Sequence, residues 1–260
     1  MMNTRKAVFL DIDGTLITHG KGPFREDLDQ IEEAARQGHL FFLNTGRALS
    51  NIPRFFLDYP CLSGICAGTG THVLLEGRTI YHNWVKEEIL ADICSWYFNS
   101  SRCCILEGEN NCYAINKASR SYTVNPPIPI SGIDDIRRIC PNELITKLTL
   151  DGAVSEDEKK LLGDYFQVHA FSDYSEAILK GENKAKAMEA VIGRLGIRQE
   201  DTIAVGDSVN DLDMIRYAGL GIAMGNACDE LKQAADAVTK DCGSGGAGEA
   251  IKRFALILPV

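Results

Sequence analysis

The 260-residue sequence lacks the features that mark several protein classes. Its nine cysteines include no C-x-x-C pair, which excludes the usual zinc ribbons. No apolar run approaches the ~18 residues of a membrane span, so we expect no membrane partner. Positive charge is scarce, since 27 Lys and Arg against 36 Asp and Glu give a net charge of −9. This balance argues against nucleic acid as a partner.

The composition is otherwise that of a folded chain. Hydrophobic residues make up 45% and charged residues 24%, which argues against disorder. At roughly 150 residues per domain, the length predicts one or two domains. Only four apolar residues, Ala7 to Leu10, precede Asp11, so we expect no signal peptide. With no paired cysteine framework, we expect a reduced, cytoplasmic protein. The residues give no signal for an oligomeric state.

Both ends of the chain alternate short apolar strands with helices. Buried strands separated by helices indicate an α/β fold, with a Rossmann-like parallel sheet covered by helices on both faces. The predicted strands are Ala7 to Leu10, Leu40 to Leu43, Leu62 to Ala67, Thr202 to Val205 and Leu220 to Ala223. The predicted helices include Leu49 to Leu57, despite Pro53, and Asn183 to Leu195.

The middle of the chain has a different, α+β pattern. A helix is predicted at about Lys86 to Phe98, followed by a strand pair, Cys103 to Leu106 and Cys112 to Ile115. We therefore predict a core domain made of residues 1–82 and 181–260. Residues 83–180 form an inserted α+β cap domain of a plausible size.

Polar residues follow three of the predicted core strands. In open α/β sheets, ligands bind beyond the carboxyl ends of the strands, so these residues are expected to meet. A fourth feature, Lys184, opens a helix behind Asn183. The three runs are Asp11-Ile12-Asp13-Gly14-Thr15, Asn44-Thr45-Gly46-Arg47 and Gly206-Asp207-Ser208-Val209-Asn210-Asp211.

Four aspartates, Asp11, Asp13, Asp207 and Asp211, would crowd one small volume. Unpaired, such clustering is unfavourable, and a divalent cation relieves it. Oxygen ligands without Cys or His favour a hard ion, so we predict Mg²⁺ as the cofactor. The ion would also cancel the repulsion between an aspartate and an incoming phosphate.

The same acids suggest a phosphoryl-transfer mechanism. A carboxylate at a strand end can attack phosphorus, and Asp11 directly follows the first strand, so we assign it as the nucleophile. Asp13, two residues on, would protonate the leaving oxygen and then deprotonate the attacking water. Thr45, Gly46, Lys184 and Asn210 would bind the phosphate, with Lys184 near a helix N-terminus that favours an anion.

These segments resemble the four motifs of the haloacid dehalogenase superfamily, in the same order. Ala223-Met224-Gly225-Asn226-Ala227 is similar to the Cof-type branch, subfamily IIB. The resemblance implies that Asp11, Asp207 and the main-chain carbonyl of Asp13 hold the metal, with Asp211 supporting them. It also implies that the inserted domain, between Thr45 and Lys184, closes over the site.

We therefore expect an Mg²⁺-dependent phosphatase for a small phosphate monoester, and the resemblance implies a sugar phosphate or a phosphorylated cofactor. The reaction would pass through an aspartyl-phosphate. Two alternatives stay open: a sugar phosphomutase, and a non-catalytic protein that binds phosphorylated metabolites. Arg47 is either a substrate contact or a surface residue in a salt bridge.

Overall fold

The computed structural model describes residues 5–18, 21–117 and 125–256, which divide into two compact units. The first unit comprises Met1–Gly46, Asp58–Tyr81 and Asn183–Val260, and the second comprises Arg47–Leu57 and His82–Glu182. The predicted core and cap domains differ from these units mainly in residues 47–57. Their boundaries stay a prediction. No helix within the described ranges is both long enough and apolar enough to cross a bilayer.

Fourteen strands and nine α-helices are present in the described residues. The strands are β1 (Ala7–Leu10), β2 (Leu40–Asn44), β3 (Leu62–Ala67), β4 (His72–Leu75), β5 (Arg78–His82), β6 (Cys104–Gly108), β7 (Cys112–Ile115), β8 (Ile128–Pro129), β9 (Ile145–Asp151), β10 (Phe166–Ala170), β11 (Tyr174–Leu179), β12 (Thr202–Gly206), β13 (Leu220–Ala223) and β14 (Ala237–Val238). The helices are α1 (Arg25–Arg36), α2 (Arg54–Leu57), α3 (Glu87–Phe98), α4 (Ile133–Ile139), α5 (Glu156–Leu162), α6 (Lys184–Leu195), α7 (Leu212–Tyr217), α8 (Asp229–Ala234) and α9 (Gly246–Phe254).

The first unit is built on a sheet in the order β14-β13-β12-β1-β2-β3-β4-β5. The pairs from β14 to β3 are parallel, and β4 pairs antiparallel with β3. Every residue of the central strand β1 is buried, as a strand covered on both faces requires. Phe9 of β1 stacks on Phe42 of β2 with ring centroids 4.9 Å apart. The predicted α/β class is confirmed.

The second unit contains a mainly antiparallel sheet in the order β10-β11-β9-β6-β7-β8. Alternate residues of its strands face one apolar core, which explains the predicted α+β pattern. Leu106, Tyr113 and Leu148 pack there with Ile93 and Tyr97 of α3.

The helix predicted over Leu49 to Leu57 is wrong. The structure has a short 3₁₀ turn, Leu49–Asn51, and a separate α2 that begins at Arg54. Between them Ile52 is extended, with φ −77° and ψ 129°. Pro53 explains the break, because its ring disfavours a helical conformation in the residue before it.

Asp27 connects the first and last helices of the first unit. It lies on α1, is fully buried, and its Oδ1 accepts a hydrogen bond from the Gly248 amide of α9 at 2.5 Å. Its Oδ2 has no hydrogen-bond partner. Burial raises the pKa of Asp27 to about 6 despite the Gly248 hydrogen bond, and the charge of Glu26 adds to the rise.

This carboxyl predicts a pH-dependent stability. Its pKa is higher in the folded chain, so the folded state binds more protons between about pH 4 and 6 and loses stability as the pH rises through that range. We expect Asp27→Asn to remove this loss. The advantage of the variant in free energy of unfolding should grow by about 2 kcal/mol from pH 4 to pH 7. Urea titrations across that range measure it.

The control for this experiment is Asp29→Asn. Asp29 lies on the same helix, but its side chain is exposed, so its substitution should give a much smaller pH-dependent difference. A constant difference between wild type and Asp27→Asn from pH 4 to pH 7 would contradict the prediction.

Candidate active site

Three adjacent parallel strands of the first unit end at the same edge of its sheet. The register pairs Leu10 of β1 with Val205 of β12 on one side and with Leu43 of β2 on the other. The next residue on each strand is therefore Asp11, Gly206 or Asn44. The amide of Asp11 donates to the Val205 carbonyl at 3.1 Å, which continues the ladder by one residue. The predicted meeting of the strand ends at one edge is thus observed.

Lys184 joins two of the acids. It is the first residue of α6 and is fully buried. Its Nζ lies 2.7 Å from Oδ1 of Asp11 and 2.5 Å from Oδ1 of Asp211. Burial disfavours its charge, but the two carboxylates outweigh this and raise the pKa of Lys184. A charged lysine therefore links Asp11, which follows β1, with Asp211, which lies in the segment after β12.

Asp211 also organises the loop that carries Asp207. Its second oxygen, Oδ2, accepts the amides of Asp207 and Ser208, both at 2.9 Å. A Cβ at Gly206 would lie 2.5 Å from the carboxyl carbon of Asp211, so the loop needs glycine there. Asp211 is fully buried and lies between Lys184 and this loop.

The carboxylates form a compact acidic group. One oxygen from each of Asp11, Asp207 and Asp211 lies within 4.8 Å of the others. Burial raises the pKa of Asp11 well above its usual range; Lys184 opposes this, while Asp211, Asp207 and Asp13 add to it. Burial also raises the pKa of Asp207 to about 7, with a further rise from Asp211. Such oxygen clusters suit a metal ion.

The remaining predicted residues fall in both units. Thr45 directly follows β2 and is buried, with its amide bonded to the Cys66 carbonyl at 2.9 Å, and Gly46 is the next residue. The side-chain oxygen of Asn210 accepts from the Ser208 hydroxyl at 2.8 Å. Arg47 belongs to the second unit, where its Nη1 donates to the Asn51 carbonyl at 2.9 Å.

Several contacts at the site were not predicted. The side-chain amide of Asn44 donates to the main-chain carbonyl of Lys184 at 2.9 Å, and so fixes the start of α6. The Thr15 hydroxyl donates to Asp207 at 3.4 Å. Thr69, with a positive φ of 56°, donates from its amide to the Thr45 carbonyl at 3.0 Å. The signal for Asn44 was available, because an amide side chain at the end of a buried strand needs a partner.

A profile of the haloacid dehalogenase-like hydrolases matches residues 8–251, nearly the whole chain. The chain belongs to this family. The motif resemblance is thereby confirmed, including the Cof-type branch, and this hydrolase acts on phosphoric monoesters as predicted.

Relatives and solved structures agree with the assignment. The 5-amino-6-(5-phospho-D-ribitylamino)uracil phosphatase YcsE of Bacillus subtilis is 46% identical, with 96% of each chain covered. The putative phosphatase YkrA of the same organism is 29% identical, over 97% of this hydrolase and 98% of its relative. A solved subclass IIB sugar phosphatase, BT4131, has a TM-score of 0.80 at 25% identity and covers 97% of this chain and 100% of its own.

Proposed function

We propose that the hydrolase is an Mg²⁺-dependent phosphatase of small phosphate monoesters that works through an aspartyl-phosphate on Asp11. The observation that carries the proposal is the buried Lys184, which contacts both Asp11 and Asp211. This arrangement holds an acid at a strand end while a lysine favours its ionised, nucleophilic form.

The acids fit a divalent cation. Asp11 and Asp207 carry raised pKa values because they are buried among other carboxylates, and a cation would relieve that repulsion. Asp11, Asp207 and the main-chain carbonyl of Asp13 would hold Mg²⁺, supported by Asp211. When bound, the ion supplies positive charge that offsets the repulsion between the acids and the phosphate of the substrate.

The side chains then divide the reaction between them. An oxygen of Asp11 attacks phosphorus, and the bond from phosphorus to the leaving oxygen breaks as Asp13 gives that oxygen its proton. Asp13 next takes a proton from water, whose oxygen attacks the phosphorus of the aspartyl-phosphate. This releases phosphate and restores Asp11. Thr45, Gly46, Lys184 and Asn210 would stabilise charge on the transferring group.

The names of two relatives support a substrate class. YcsE is named for a phosphorylated ribitylamino-uracil and BT4131 for sugar phosphates, so both names join a phosphate to a polyhydroxyl carbon chain. We propose a sugar phosphate or a phosphorylated cofactor, with the compound for which YcsE is named as the first to test. The nine free cysteines support a cytoplasmic location for such a metabolite enzyme.

The test is phosphate release from p-nitrophenyl phosphate by chelator-treated protein. We expect turnover to fall at least ~100-fold without metal and to return with Mg²⁺, because uncompensated acids repel the phosphate. Ca²⁺ serves as the control ion, since its larger size and flexible geometry suit the site less well. A panel of sugar phosphates and phosphorylated cofactors is then ranked by kcat/KM.

Each outcome distinguishes the candidates. Full turnover in the chelator would contradict the metal requirement. Little net phosphate from sugar phosphates, with activation by a bisphosphate, would support a phosphomutase instead. Binding of these compounds without any turnover would support a non-catalytic protein.

A further inference from the structure

The loop of residues 224–228, which follows β13, contacts two segments of the site. One carries Asp13 and the other carries Asp207. Three carbonyl groups accept hydrogen bonds from it. The Met224 amide donates to Gly206 at 2.9 Å, the Cys228 amide donates to Asp207 at 3.0 Å, and the Asn226 side chain donates to Gly14 at 2.9 Å. Among these three donors, only that of Asn226 belongs to a side chain.

The orientation of the Asn226 amide is fixed from its other end. Its Oδ1 accepts a hydrogen bond from the main-chain amide of Cys242 at 2.7 Å. Since the oxygen must face that donor, the NH₂ group must face the carbonyl of Gly14. The side chain of Asn226 is itself exposed, so packing does not explain the two contacts.

The backbone at Gly14 lies so close to Asp207 that a small displacement of it would disturb the site. The φ of Gly14 is +81°, and a Cβ there would lie 2.2 Å from Oδ2 of Asp207. The backbone after Asp13 therefore passes directly against the carboxylate of Asp207. Asn226, Asp13, Gly14 and Asp207 also line one open cavity of the first unit, of about 500 Å³.

We propose that Asn226 is a positioning residue that holds the Asp13–Gly14 segment so that Asp13 can deliver its proton to the leaving oxygen. The proposal rests on the function proposed above, in which Asp13 is the general acid. Asn226 would act through its hydrogen bond to the Gly14 carbonyl.

The test uses two aryl phosphates that differ in their need for a proton. p-Nitrophenolate leaves readily without protonation, whereas phenolate needs help from a general acid. We expect Asn226→Ala to lower kcat/KM for phenyl phosphate about 10-fold more than for p-nitrophenyl phosphate, because a displaced acid loses part of its contribution. Asn226→Asp, which keeps the acceptor for Cys242 but loses the donor, should show the same selectivity.

Two reference variants make the result specific. Asp13→Asn removes the acid itself and should show the largest selective loss. Asn99→Ala removes another exposed amide that donates to a main-chain carbonyl, that of Ser95 at 2.8 Å, and should leave both rates unchanged.

The experiment distinguishes a failure of the positioning role from a failure of the proposed function. If Asp13→Asn is selective but both Asn226 variants lower the two rates equally, or lower neither, the positioning role is refuted and the proposed function stands. If Asp13→Asn shows no selectivity, the general-acid step fails and the role of Asn226 fails with it. If the Asn226 variants have a lower melting temperature but show no selectivity between the two aryl phosphates, Asn226 has a structural role and the proposal is refuted.

Discussion

Asp11→Asn is expected to reduce phosphate release by at least about 10³-fold, with the fold intact. Asparagine has the shape of aspartate but lacks the anionic oxygen that attacks phosphorus, so no aspartyl-phosphate can form. Steady-state release of phosphate from p-nitrophenyl phosphate measures the loss. Acid quenching of the reaction should trap labelled phosphate on the wild type and none on the variant.

The same substitution should have little effect on stability. The Oδ1 position of the variant can still accept the bond from Lys184, and the substitution removes a buried charge that lies among other carboxylates. We expect the free energy of unfolding to change by no more than about 1 kcal/mol. Asp213→Asn, an exposed aspartate in the first turn of α7, is the matched control for both measurements. More than a tenth of the wild-type turnover in Asp11→Asn would refute the nucleophile assignment.

Much of the first unit was predictable because its strands carry a strong local signal. β1, β2 and β12 are runs of apolar residues that end abruptly in Asp, Asn or Gly, and such runs are recognisable without tertiary information. The placement of the three polar ends at one edge follows from parallel pairing alone. This is why the acidic cluster could be anticipated from residues 200 positions apart.

The hairpin β4–β5 was missed for a local reason. Its two strands are joined by Glu76 and Gly77, which both have positive φ values, 49° and 73°. Glycine adopts that conformation readily, but glutamate seldom does, so the pair is a weak turn signal beside Asn-Gly or Asp-Gly. The sequence therefore did not mark where the sheet extends beyond β3.

The double contact of Lys184 was missed for a different reason. Lys184 and Asp211 were each assigned to the site, but to separate tasks, phosphate binding and support of the metal ligands. The ion pair of Lys184 with Asp211 depends on how α6 packs behind the strand ends. Asn44 holds Lys184, the first residue of α6, in place there. Side-chain contacts of this kind depend on tertiary packing, and no periodicity in the sequence encodes them.

Lys184→Met is expected to lower both stability and activity by large amounts. The lysine is fully buried, and its removal leaves the carboxylates of Asp11 and Asp211 buried without their cation. Breaking a buried pair in this way costs about 3–5 kcal/mol in free energy of unfolding. Turnover should fall at least ~10³-fold, because Asp11 loses the charge of Lys184, which lowers its pKa and favours its ionised, nucleophilic form.

Lys186→Met is the control on the same helix. The Nζ of Lys186 lies 5.1 Å from the centroid of the Tyr81 ring, and loss of that contact should cost about 0.5–1 kcal/mol. Urea unfolding and p-nitrophenyl phosphate turnover give both readouts. A Lys184→Met protein within about 1 kcal/mol of wild type would contradict the assigned pairing.

A double substitution separates the structural part of this effect from the chemical part. The double variant Lys184→Met, Asp211→Asn lacks one of the two buried carboxylates that lose their partner in Lys184→Met. Its loss in free energy of unfolding should therefore be smaller than the sum of the two single losses by about 1 kcal/mol or more. Turnover should not recover, because Asp11 still lacks its cation. Recovery of both together would mean that Lys184 serves the fold alone and that Asp11 needs no lysine to stay ionised.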